Sequence, residues 1–383
     1  MFRTITSILL STILWLNGTQ LSAQEQHVKV QYEEGKYAGW PANWGMWNWG
    51  NEILVGYTYA DHKDIKGHGH SYNRESAVAK FSRSLDGGLT WKMEDAYASG
   101  IRDSTWENHL GNKSANPIKL TTPIDFLKKD FALNLRMRHE TEGGTTFYYT
   151  YNRGKKWNGP FALEVVFPGP KPVGIVARTS YIIESKNEMT AFLTVAFKNG
   201  KKDWRQVACV RTVDGGLTWK HLSWIGDEEI NSIMPAAVRL SSNKLITIIR
   251  RTAPAAMVSF ISEDNGLTWK QLTDPAKVDA NGHPPALVKL KDNRLCLVYG
   301  IRVDSTMTTG VGIYVTYSAN EGNTWSNPRL LRGNDGAGWD IGYPRAILRP
   351  DGKVVATYYY NNLNQGDKYR YIAATIFDPN EHK

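Results

Sequence analysis

Cysteine is nearly absent: the 383-residue chain holds two, Cys209 and Cys296, far apart in sequence. That excludes a disulfide-stapled small fold. A chain of this size buries enough surface to stand without a bridge, so two buried free thiols are expected. Also missing is any segment with the length and apolar stripe of a good amphipathic helix. Long apolar runs are lacking as well. The only candidate, residues 5–16, is too short to span a bilayer. It follows Arg3 and leads to Leu21-Ser22-Ala23, the layout of a cleavable signal peptide cut near Ala23. Residues 1–23 are therefore read as a leader and 24–383 as a single catalytic domain, periplasmic or secreted, monomeric and not attached to a membrane. The charge is lopsided, with 46 Lys and Arg against 37 Asp and Glu. The basic residues are scattered rather than clustered, which speaks against nucleic acid. An acidic oligosaccharide or polysaccharide is the polyanion an exported chain would meet.

What the chain does have is a recurring octet. SLDGGLTW (84–91) returns as TVDGGLTW (212–219) and SEDNGLTW (262–269), more loosely as SANEGNTW (318–325), and in worn form as TYNRGKKW (150–157). A hydroxyl residue leads, an acid or amide stands third, Gly fifth and Trp eighth. The third residue can accept hydrogen bonds from the turn's own N–H groups, Gly takes the positive φ of a tight turn, and Trp anchors the tip. A calcium loop would need more carboxylates per copy.

The Trp spacings are 66, 62, 50 and 56 residues, room for four short strands each. Between copies the chain is rich in β-branched and aromatic residues, as in NKLITIIRR (243–251) and GKVVATYYYNN (352–362). Each of these follows a short strand opened by proline: MPAAVRL (234–240) and YPRAILR (343–349), with PPALVKL (284–290) a third of the kind. Such a repeat describes an all-β fold, a β-propeller with one blade per repeat. Five octets make five blades, and 340–378 makes a sixth. The strand 27–33 is expected to complete that last blade and close the ring. A seventh blade would have to hide in 92–130.

The octets resemble the Asp boxes of sialidase-like six-bladed propellers, and the resemblance spans the chain from 24 onward. It implies carbohydrate chemistry at the mouth of the central channel. The family's first-blade Arg-Ile-Pro is matched here by Gly39-Trp40-Pro41, so that arginine is missing. The family's acid falls on Asp61 or Asp64, its tyrosine nucleophile on Tyr343 or one of Tyr358 to Tyr360. By position, Glu228 or Glu229 stands for the assisting carboxylate.

Other residue types gather at the ends of the proline-led strands. Four tryptophans lie in 39–50; Trp40 or Trp44 is a candidate for stacking on a sugar ring, and Trp47 and Trp49 for the core. The loop 61–75 carries His62, His68, His70, Tyr72 and Arg74. His68-Gly-His70 lacks an evident third ligand, so no metal or other cofactor is expected. Arginines recur at comparable blade positions: Arg136, Arg178 beside Tyr181, Arg250 and Arg251, Arg302, and Arg345 after Tyr343-Pro344. His283 opens another inner strand. This His, Tyr and Arg set resembles that of propeller polysaccharide lyases, which act on uronates. Arginines neutralise the carboxylate, a His or Tyr removes the C5 proton, and a second such residue protonates the leaving oxygen. The expected reaction is β-elimination to a 4,5-unsaturated uronate, as lyase or dehydratase. The expected acid and base are His70 or His68 with Tyr181 or Tyr72. Arg178, Arg251 and Arg345 are expected to hold carboxylate or sulfate, with Arg136, Arg302, His283, Tyr343, Trp44 and Trp40 as further substrate contacts. Sialidase-like hydrolysis of an anionic sugar and non-catalytic glycan binding are the alternatives.

Overall fold

A computed structural model describes residues 25–65, 69–102, 115–138, 143–200, 203–227, 231–252, 254–279, 282–302, 310–333, 335–336, 340–362 and 367–381. The expected leader, His68, Glu228 and Glu229 lie outside them.

Six antiparallel sheets follow one another along the chain. The first blade runs Lys36–Gly39, Glu52–Asp61, Val78–Ser84 and Lys92–Asp95, with Met46–Trp49 also paired to Glu52–Asp61. The second has three strands: Ala132–Met137, Thr145–Thr150 and Asn158–Leu163. In the third, Gly174–Ile175 and Tyr181–Ile183 share Met189–Lys198, followed by Asp203–Thr212 and Lys220–Ile225. The fourth is Ser232–Arg239, Leu245–Thr252, Ala255–Ser262 and Lys270–Gln271. The fifth is Ala286–Lys289, Leu295–Ile301, Gly312–Ser318 and Arg329–Gly333. The sixth is Gly342–Leu348, Val354–Asn362 and Asp367–Phe377, completed on its outer edge by Gln26–Gln31. Between Asp95 and Ala132 the described residues form no strand, so the ring has six blades.

Second strands are apolar on both sides because each blade packs between two others. Met189–Lys198 is buried along all but its last residue, so strict alternation is lost there. The interfaces between blades are the core. Phe192 and Cys209 of the third blade meet Leu245 and Ile249 of the fourth, and Tyr57 of the first meets Val355 and Tyr359 of the sixth. Cys209 and Cys296 are free and buried, in different blades, and burial pushes both thiols up to about 12.

All five octets join the last two strands of a blade and share one geometry. The leading hydroxyl accepts the N–H of the fifth-position Gly at 2.7 to 3.1 Å in every copy. In the first, Asp86 Oδ1 accepts from Leu89 N at 3.0 Å and Thr90 N at 2.9 Å, while Oδ2 accepts from Thr90 Oγ1. These bonds outweigh partial burial and hold the Asp86 carboxyl down to about 2. The fifth-position glycines all have φ between 76° and 98°. In three copies a Cβ there would strike the preceding blade: Leu54 at 2.4 Å from Gly154, Cys209 Sγ at 2.9 Å from Gly266, Ile246 at 2.4 Å from Gly322. In these copies the octet is thus a turn that also seats its blade on the one before.

The octets are structural, which sets an expected outcome. Asp86→Ala should cost about 1 kcal/mol through lost turn capping, measured by denaturant unfolding, with activity per folded molecule kept. The Asp86 contribution is present above pH 3.8, the ordinary value, and disappears as pH falls through about 2.

Candidate active site

Successive turns of an antiparallel blade alternate between its two ends. The octets occupy one end, so the loops between second and third strands open at the other. There the first residues of the inner strands surround a cavity of about 610 Å³. Its wall includes Trp40, Asn43, His70, Tyr72, Arg136, Arg178, Arg250 and Tyr343.

Proline shapes this mouth. Trp40, Met234 and Tyr343 each precede a proline, and each has left-handed backbone, with φ of 58°, 56° and 51°. Proline offers no N–H to a strand ladder. The pairing register shifts between Ile233 and Ala236 and again between Gly342 and Arg345. These bulges re-aim the side chains at the strand starts.

Tyr343 sits at the end of one such bulge. Its hydroxyl oxygen accepts from Arg250 Nη1 at 2.9 Å. The Arg250 and Arg302 guanidinium carbons lie 5.5 and 5.4 Å from its ring centre. Burial alone would raise this phenol, but the charges of Arg250, Arg302 and Arg178 outweigh it and hold it below the ordinary 10.0.

Three further arginines converge on the turn Pro41–Asn43. Arg178 Nε donates to Asn43 Oδ1 at 2.7 Å. Arg136 stacks 3.3 Å over the Trp44 ring and reaches the Asn43 carbonyl at 3.4 Å. From the channel side Arg345 Nη2 donates to the Ala42 carbonyl at 2.7 Å. Burial, then the charge of Arg178, pushes the Arg345 guanidinium down to about 10.

On the first blade's side, His70 Nδ1 lies 2.6 Å from Asp340 Oδ1. The same oxygen accepts from Tyr359 OH at 2.8 Å, and Tyr359 in turn accepts from Arg302 Nη2 at 3.0 Å. Burial would raise the Asp340 carboxyl, but His70, Arg370 and Tyr359 hold it below its ordinary value. The Trp40 ring stands edge-on to His70 at 4.7 Å and to Tyr72 at 5.0 Å.

Of the residues expected from sequence, His70, Tyr72, Trp40, Arg136, Arg178 and Tyr343 share this wall. Others are placed elsewhere. Tyr181 and Arg345 lie further along the inner strands and line a separate channel cavity of about 340 Å³. The Tyr181 hydroxyl accepts from Leu133 N at 3.2 Å. Trp44 is wholly buried against Phe81. Arg251 turns away from its neighbour Arg250, because strand side chains alternate, and donates to the Pro254 carbonyl. Arg302 is buried behind Tyr343 and bonds the Ile341 carbonyl and Tyr359. His283 is fully buried between Gly300 and Gly342, its Nε2 2.9 Å from Asp279 Oδ2. Asn43 and Asp340 were not singled out by sequence, and Tyr359 only as one of the alternatives Tyr358 to Tyr360. Asp340 carried one signal, its place three residues before a Tyr-Pro pair.

Two expected outcomes follow from these charges. Alkaline ultraviolet titration should show a tyrosine ionising ahead of the rest; Tyr343→Phe should delete it and Arg250→Gln should move it upward. Burial, then the Arg302 charge, pushes His283 down to about 4 from 6.5. Between those values the unfolded chain binds a proton that the folded chain refuses. Stability is therefore full above pH 6.5 and falls toward pH 4, by at most about 1.4 kcal/mol per pH unit for this one group. His283→Gln should flatten that decline in pH-dependent melting.

Comparison with known proteins fits this architecture. The family model for a BNR repeat-like domain matches residues 74–356. No curated protein matches the sequence. Among solved structures, a protein of unknown function from Dyadobacter fermentans superposes with a TM-score of 0.68 at 19% identity, covering 91% of this chain and 97% of that one. The Trypanosoma rangeli sialidase bound to 2,3-difluorosialic acid gives 0.61 at 12% identity, over 92% of this chain but 59% of that one. The Fusarium graminearum α-L-arabinofuranosidase Arb93A gives 0.55 at 13% identity, over 91% and 98%. At such identities the likeness is one of fold. With the family model spanning most of the chain, the protein belongs to the BNR repeat-like domain family and has the six-bladed propeller architecture of the sialidases.

Proposed function

We propose that the protein is a carbohydrate-active enzyme that acts on a uronate-containing oligosaccharide by β-elimination. One observation carries the reading: a phenol held by Arg250 and a histidine held by Asp340 share one arginine-lined cavity. Arg136 and Arg178 suit the uronate carboxylate, since guanidinium groups pair with carboxylate oxygens in bidentate fashion. Neutralising that carboxylate acidifies the C5 proton. The Tyr343 phenolate takes this proton, and the C–H pair becomes the C4=C5 double bond. The C4–O bond breaks, and its oxygen receives a proton from His70 Nε2. Cutting a glycosidic bond this way is lyase action; expelling a free hydroxyl as water is dehydration. Trp40 offers an apolar edge to a sugar face. Export of the chain, expected from residues 1–23, fits a substrate met outside the cytoplasm.

Hydrolysis is the second reading. It is favoured by the position of Tyr343 among arginines on a fold shared with a sialidase, where the phenol would act as nucleophile. The product separates the two. Elimination yields a conjugated sugar that absorbs in the ultraviolet, and hydrolysis yields none. Uronate oligosaccharides should therefore give rising absorbance, with a bell-shaped kcat/KM profile that needs Tyr343 ionised and His70 protonated. Tyr343→Phe and His70→Gln should each lower kcat/KM by at least about a hundredfold. Arg250→Gln should move the pH limb upward. Release of a saturated sugar with no absorbance change would replace elimination with hydrolysis.

A further inference from the structure

The hydrogen bonds behind the cavity point one way. Arg302 Nη2 donates to Tyr359 at 3.0 Å, Tyr359 donates to Asp340 Oδ1 at 2.8 Å, and His70 Nδ1 meets the same oxygen at 2.6 Å. Arg370 Nε adds a bond to the Asp340 carbonyl at 3.2 Å and lies 3.5 Å from Oδ2. Asp340 and Tyr359 have no solvent exposure. Neither lines the cavity, so neither touches a ligand held there. We infer that Asp340 and Tyr359 are positioning residues that govern the protonation of His70 from behind the wall. This rests on the role given to His70 in the proposed reaction.

The physical argument concerns one carboxylate oxygen with two competing donors. An ionised Asp340 beside Nδ1 keeps a proton there and puts the ring's other nitrogen to work, and removing its charge removes that hold. Tyr359, polarised by Arg302, draws on the same oxygen and weakens its pull on His70. The two residues therefore act on His70 in opposite directions. A purely structural role, tying the loop around residue 70 to the sixth blade, makes no such demand.

Other titratable groups surround the pair. Tyr37 and Tyr72 come from the first blade, Arg302 from the fifth, and Tyr343 and Arg370 from the sixth. The guanidiniums keep their charge. Among these described residues Tyr343, held below its ordinary value, is the one whose ionisation can overlap, and Tyr343→Phe removes it.

The test is a pH titration of the histidine resonances of the full-length protein by nuclear magnetic resonance, without substrate. His70→Gln supplies the assignment, and Tyr343→Phe is the background. Asp340→Asn keeps the shape and removes the charge, so the His70 midpoint should fall by about one pH unit or more. Tyr359→Phe removes the competing donor, so the midpoint should rise. In otherwise native protein, the high-pH limb of kcat should follow in the same two directions with KM nearly constant, and Asp340→Glu should restore part of the lost rate. A midpoint unmoved in both variants, or moved the same way in both, overturns the inference. Because the resonance arm uses no substrate, it decides the positioning role alone. Failure to find any unsaturated product would instead count against the reaction assigned above.

Discussion

Everything at the channel mouth depends on leaving no sheet edge unpaired. The last blade ends in Asp367–Phe377, whose outer side would be an open edge if the chain stopped there. Gln26–Gln31 fills it, with Gln26 opposite Ile376 and Lys29 opposite Ala373. On the other side of the same junction, Gly88 of the first octet lies against Val355 and Ile376 of the sixth blade. Strand pairing and turn packing thus bind the first blade to the last. Once the ring is closed, residues from different blades surround one cavity. Residues more than 250 positions apart, such as His70 and Asp340, then become hydrogen-bond partners.

Closure alone does not aim side chains. That work falls to Trp40-Pro41, Met234-Pro235 and Tyr343-Pro344, where left-handed backbone interrupts regular geometry. Each such non-glycine residue costs about 1–3 kcal/mol. The surroundings hold them in place: the Trp40 ring packs on Tyr37, Tyr72 and Tyr359, and Tyr343 is gripped by Arg250. Two of the three line the cavity, and Met234 lies beneath Arg250. Strain of this kind collects where a side chain must point somewhere a straight strand would not send it.

This explains what was legible in the sequence. The octets carry their own hydrogen-bond logic within eight residues, so hairpins, blade count and closing strand could be read directly. The loop with His70 and Tyr72 could be read too, because Gly-punctuated polar loops stand out. Arginine positions were harder. Arg250 and Arg251 are adjacent and face opposite ways, and no local pattern says which of the two faces the cavity. Tyr181 and Arg345 stand on inner strands, as expected, but one turn of the pleat too far along to reach the mouth. Asp340 was illegible for a different reason: its meaning is a contact across the ring closure, and no local pattern encodes that.

The arginines themselves fall into two populations. On the outer rim they are neutralised by acids: Arg83 by Glu94 and Glu52, Arg153 by Asp130 and Glu52, Arg239 by Glu184. These pairs lock blades together, and the charge is cancelled where it stands. Around the cavity the hydrogen bonds described for Arg136, Arg178 and Arg250 include ones to an amide, to a carbonyl and to a phenol. Such oxygens fix where a guanidinium points. The charges of Arg250, Arg302 and Arg178 act on the Tyr343 phenol and hold it below its ordinary value, and Arg178 adds to burial in lowering the Arg345 guanidinium. In the proposed reaction the same arginines have two tasks: they receive the carboxylate, and they hold the Tyr343 phenol below its ordinary value. A bound carboxylate beside them reduces their effect on the phenol, so under that reading substrate binding and phenol reactivity are coupled.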